Sequence, residues 1–170
     1  MPIIQSEIEF RLSGGAGNAD PNASQGGVIS ATTITTAQLA NLFADIPAQE
    51  AQDGSVKYRG LYIINTDPSI TWTNVFLWKQ MLTPSANTVF ALSLATEGLN
   101  TTMQTIADED TAPVGQTFTE PTTKAAGLDM GDIPAGQFYG VWLRRTVTAG
   151  AEALALDNMI LEVEGETTQL

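Results

Sequence analysis

QFYGVWLRRTV, residues 137–147, alternates along its whole length. Phe138, Gly140, Trp142 and Arg144 take one parity, and Tyr139, Val141 and Leu143 take the other. Aromatic and β-branched residues in a period of two predict a strand with two different faces. Arg144 and Arg145, as neighbours on a strand, point to opposite sides of the sheet.

Working outward, the same character recurs. VKYRGLYIIN (56–65) and ITWTNVFLWKQ (70–80) flank the turn residues Asp67 and Pro68 and predict a hairpin. Trp72, Phe76 and Trp78 share a parity there, which predicts a strongly aromatic face. TVFALSLA (88–95), NMILEVEG (158–165) and SEIEFRL (6–12) add further alternating runs, with Ile8, Phe10 and Leu12 opposed to Glu7, Glu9 and Arg11 in the last. A short strand is expected around VGQTFTE (114–120), and GLDMGDIPAGQ (127–137) reads as a turn leading into a strand. TTAQLANLFADI (35–46) predicts the one short helix: Thr35 and Gln38 have capping-box spacing, Leu39, Leu42, Phe43 and Ile46 form a stripe, and Pro47 ends it.

About seven short strands without βαβ alternation predict an all-β fold, an antiparallel β-sandwich of jelly-roll or immunoglobulin-like type with long loops. The 170 residues suit a single domain over 1–170, with a flexible glycine-rich arm at about 13–34 and a loose tail at 165–170.

Composition narrows the chemistry. Cysteine and histidine are both absent. Disulfides, thiolate and imidazole metal sites, cysteine nucleophiles and the Ser-His-Asp triad therefore fall away. No apolar run approaches the length of a membrane helix, and MPIIQSEIEF lacks the regions of a signal peptide, so no membrane association is expected. The formal charge of −12 argues against binding a phosphate backbone, so no nucleic-acid partner is expected. Six of the seven bases fall in the strand runs; residues 146–170 hold five acids and no base. A soluble, self-repelling surface follows, or an acidic face that meets a basic partner.

Residues 11–30, RLSGGAGNADPNASQGGVIS, hold five glycines. Without a lysine they cannot be a Walker loop, and Asp20 stands where a dinucleotide loop needs its third glycine. Asn18, Asp20 and Asn22 alternate as in a calcium loop, but Ala23 and Ile29 occupy the positions of its turn glycine and bidentate glutamate. Asp108, Glu109 and Asp110 are weak metal candidates, and a solvated acidic loop is the simpler reading of them. Trp72, Trp78 and Trp142 could form a sugar- or base-stacking platform, against the simpler role of core anchors. No cofactor and no catalytic residue emerge.

Three segments together resemble a known group. IEFRLSGGAGNADPNASQGGVIS (8–30), KYRGLYIINTDPSITWTNVFLWKQMLTPSANTVFALSL (57–94) and DIPAGQFYGVWLRRTVTAGA (132–151) resemble small structural proteins encoded in the virion-morphogenesis regions of tailed bacteriophages. The resemblance implies a non-enzymatic virion building block, made in the host bacterial cytoplasm. A capsid decoration or cement protein bound to the major capsid protein is the first expectation. A neck, tail or baseplate component, or a carbohydrate- or receptor-binding module, are the alternatives. Self-association into a homo-oligomer is also expected. The residues expected at contacts are Arg11, Asn18, Asp20, Asn22, Arg144 and Arg145.

Overall fold

A computed structural model describes residues 3–35, 40–81, 85–152 and 158–167. The chain is an antiparallel β-sandwich. One sheet holds β1 (Ile8–Leu12), β3 (Ser55–Asn65), β8 (Phe138–Val147) and β5 (Thr88–Leu94), in that spatial order. The facing sheet holds β7 (Leu128–Ile133), β4 (Trp72–Met81) and β9 (Met159–Thr167). A two-stranded piece, β2 (Gly26–Gly27) with β6 (Met103–Thr105), lies outside both. The sandwich is not immunoglobulin-like in order. Of its seven longer strands the sixth, β8, lies beside the fourth, β5, whereas the immunoglobulin arrangement puts the fifth there.

Alternation along each strand divides the apolar residues between two cores. Leu61, Ile63, Val141, Leu143 and Leu92 face the second sheet and meet Trp72, Val75, Leu77, Met130 and Ile133. The opposite parity of the four-stranded sheet makes a second core, in which Tyr62 and Trp142 are covered by Ala95, Met103 and Ile106. Both long irregular segments, 13–34 and 96–127, help to roof that outer face. The molecule thus has three layers: a three-stranded sheet, a four-stranded sheet and a roof of loops.

Six expectations change. The hairpin of 56–65 with 70–80 is a crossover between sheets, because β3 already has β1 on one side and β8 on the other. Asp67 still makes the turn, accepting from the N–H groups of Ser69 and Ile70 at 2.7 Å each. The aromatic face of β4 is split. A bulge lies between Thr73 and Phe76, with Asn74 at φ 52°, so Trp72, Val75 and Leu77 point to the core while Phe76 and Trp78 point away. Residues 127–137 contain β7 instead of a turn, and 114–120 supply only a bridge from Thr119 to Leu92. The helix is α1 (Ala48–Asp53), which begins where the predicted one ends. Residues 36–39 of the predicted helix lie outside the described residues, and 40–46 are turn, bend and open backbone. Of the predicted tail, 165–167 belong to β9 and 168–170 lie outside the described residues.

Candidate interaction surface

The glycine-rich segment is built in, not free. Ser13, Ser24 and Ser30 are buried. The Ser13 hydroxyl donates to the Gly60 carbonyl at 2.8 Å and accepts from the Gly26 N–H at 3.0 Å. Gly60 N–H donates to the Ser24 carbonyl at 2.8 Å, so the segment is stitched to β3 from both sides. Asn18 donates to the Ser13 carbonyl and accepts from the Asp20 N–H, and Asp20 caps the short 3₁₀ turn Pro21–Ala23 by accepting from the Asn22 N–H. Asn22 accepts from the Arg59 guanidinium at 3.2 Å. Three of the six side chains expected at intermolecular contacts are thus engaged in holding their own loop, the usual work of Asn and Asp in turns. A flexible arm does not fit this network, because its serine and glycine positions form part of a buried interface. The strand glycines carried the missed signal: a Cβ on Gly60 or Gly140 would come within 3.0 Å of Met103 or Ala95. Glycine inside a strand marks such a close approach.

The basic residues are drawn inward. Arg145 is 4% exposed on the inter-sheet face. It donates to the Ala44 carbonyl at 2.7 Å and to Glu50 at 3.0 Å, and its guanidinium lies 5.0 Å from the centroid of the Phe43 ring. Arg59, 1% exposed, approaches the same ring at 5.4 Å and pairs with Glu109. Lys57 bridges Glu109 at 2.7 Å and Glu50 at 3.2 Å. Burial penalises the charge of Glu50, but Ser55, Lys57 and Arg145 outweigh that and hold its carboxyl below the usual range. Glu109 is held down likewise, against burial, by Lys57 and Arg59. Burial lowers the Arg145 guanidinium. Arg144, on the opposite face as its parity requires, lies 5.1 Å from the centroid of the Phe118 ring. Arg11 pairs with Glu9 at 2.8 Å on β1.

The acidic triplet does not converge. Asp108 accepts from the Asp110 N–H and from the Thr111 hydroxyl, which closes its own turn, while Glu109 points to Lys57 and Arg59. No group of three or more possible ligands is assembled among the described residues. The tryptophan platform is also lost. Trp72, Trp78 and Trp142 are 6%, 9% and 0% exposed, so each is an anchor within the fold.

Apart from the covered Trp78, the far side of the three-stranded sheet faces outward. β9 alternates Met159, Leu161 and Val163 toward the core with Ile160, Glu162, Glu164 and Glu166 away from it. Phe76 is paired with Glu164 and with Asp129, and Asp132 accepts from the Asn74 N–H. Five carboxylates thus mark this side, with Lys124 on Glu164 at 2.5 Å. The signal was legible in the alternation of LEVEGE, but its meaning required knowing which strand stands at the sheet edge. No helix among the described residues is long and apolar enough to cross a membrane. Comparison of the chain with protein-family models, curated proteins and solved structures returns no match.

Proposed function

We propose that the chain is a non-enzymatic structural subunit of a tailed-phage particle, a capsid decoration or cement protein that binds and stabilises the major capsid protein lattice. The sequence resemblance supplies the phage setting. The observation that carries a docking role is the asymmetry of the sandwich. One sheet is roofed by its own loops, whereas the other presents Asp129, Asp132, Glu162, Glu164 and Glu166 on its outward side. An ordered face of one charge sign steers a subunit onto a basic surface and fixes its orientation there. Repetition on a lattice would multiply weak contacts by avidity.

Quantitative mass spectrometry of purified particles of the encoding phage tests the reading. A cement protein is expected at a copy number close to that of the major capsid protein. A handful of copies per particle moves the chain to the neck, tail or baseplate, and its absence from particles rejects the virion role.

A further inference from the structure

We infer that the outer edge of β9 is a strand-addition site for an extended, basic segment of a partner protein. The four edges of the two main sheets are treated differently by the fold. The edge of β1 is closed by residues 30–34: Ser30 N–H donates to the Leu12 carbonyl at 2.8 Å, Leu12 N–H donates to the Thr32 carbonyl at 3.1 Å, and Ile34 N–H donates to the Phe10 carbonyl at 2.7 Å. The edge of β5 is closed by Thr119, which exchanges both backbone bonds with Leu92 at 2.7 and 2.9 Å. β7 is short, and Gly131, at φ 67°, turns its N–H back onto its own Asp129 carboxylate. β9 alone offers a long regular edge. It runs nine residues, the pairing shift opposite it falls on the β4 side, and among the described residues its backbone bonds only to β4.

An open edge of this length is a template for another strand, and proteins ordinarily protect such edges. Here the protection is selective. If a second copy paired through the same edge in antiparallel fashion, glutamates would stand opposite glutamates, and like charges directly opposite are destabilising. The same alternation favours a strand with lysine or arginine at every second position. Backbone hydrogen bonds would supply affinity, and the facing bases would supply register and choice of partner. Glu162 has no ion-pair partner among the described residues, Glu164 has the exposed Lys124, and Glu166 accepts only a hydrogen bond from the exposed Asn74 amide. The inner side of the edge is already fixed by Met159, Leu161 and Val163 in the core, so little ordering remains to oppose pairing. The inference deepens the docking role above and does not depend on where in a particle the chain resides.

The probe is a nine-residue peptide alternating lysine and threonine. Its control has the same composition with alternate backbone nitrogens methylated, so that the charge is kept and the ladder is blocked. Amide exchange by NMR on the full chain is expected to slow at alternate β9 amides, those not bonded to β4, when the first peptide is added. The control is expected to bind at least about tenfold more weakly, since main-chain bonds carry strand addition. A Glu162→Lys/Glu166→Lys variant, checked for its fold by circular dichroism, is expected to reject the lysine peptide and accept a glutamate–threonine one. Equal binding of the probe and its control reduces the effect to general electrostatics and overturns the inference. Protection elsewhere, or none at millimolar peptide, also overturns it. None of these results bears on copy number in particles, so the two readings fail separately.

Discussion

Glu50 is the hinge of the buried charge. It meets Arg145 at 3.0 Å, Lys57 at 3.2 Å and the Ser55 hydroxyl at 2.6 Å, on a side chain only 9% exposed. Its removal would strand Arg145, itself 4% exposed, without its hydrogen-bonded counter-charge. Breaking a buried pair from one side costs about 3–5 kcal/mol. Glu50→Ala is therefore expected to lower stability by about 3 kcal/mol in urea unfolding at pH 7. Adding Arg145→Met should recover much of the loss, because an apolar group of similar length no longer needs a partner. A loss in the single variant too small to measure would mean that water, not Glu50, compensates Arg145. The carboxyls of Glu50 and Glu109 are held below their ordinary 4.5 in the folded chain. Their stabilisation is therefore fully present above that value and is lost as pH falls through the lowered ones. Lys57 is shifted the opposite way, chiefly by the Glu109 hydrogen bond, so its contribution persists up to about 10.5 and is lost above it. Glu50→Ala should flatten the acid limb of stability against pH and leave the alkaline limb shallower but present.

At the scale of elements, the strands were legible because each alternates between unlike surroundings: Tyr62 and Trp142 to the roof, Leu61 and Leu143 to the facing sheet. The failures have local causes. Leu42 and Phe43 show helical spacing and do reach the core. Yet the Leu42 carbonyl, which a helix over 35–46 would have used internally, accepts from Arg59, and the Ala44 carbonyl accepts from Arg145. Asn74 at φ 52° inserts the bulge that reverses the parity of Trp72 relative to Phe76, and no period of two can foresee it. Glycine content alone does not separate a flexible arm from a close-packed segment, because flexibility and close packing require the same residue. Gly26 separates the two readings. At φ 84°, a Cβ there would stand 1.9 Å from the Gln104 carbonyl oxygen and 2.8 Å from the Trp142 ring. Gly115 has a similar φ of 74° with nothing within 4 Å. Gly115→Ala should cost only left-handed strain, about 1–2 kcal/mol. Gly26→Ala should cost about 3 kcal/mol or more by displacing the roof from Trp142. Thermal unfolding of the two variants checks this, with about 2–4 °C expected per kcal/mol in a chain of this size. Equal shifts would mean that the roof is free to move and that the segment is an arm after all.

For the whole molecule, a formal charge of −12 sets two electrostatic contributions against each other. The outward carboxylates of the three-stranded sheet and the loops repel one another, which opposes compactness. The inward network of Lys57, Arg59 and Arg145 with Glu50 and Glu109 favours it. Salt separates the two, because screening acts on exposed charges and reaches buried pairs far less. The screening length falls from about 30 Å at 0.01 M to about 3 Å at 1 M. The exposed ion pairs that salt would weaken, such as Lys124 with Glu164 at 38% and 58% side-chain exposure, are few and individually worth little. Repulsion among the surplus acids is thus the larger of the exposed contributions. The unfolding temperature is expected to rise by a few degrees between 0.01 and 0.5 M sodium chloride at pH 7, and calorimetry at the two salt levels checks it. A fall would show that exposed pairs outweigh the repulsion. Glu162→Gln/Glu166→Gln should reduce the salt-dependent rise, because those carboxylates stand on the crowded outward face. Glu50→Ala should lower the whole curve without removing the rise, because its partners lie where added salt does not reach.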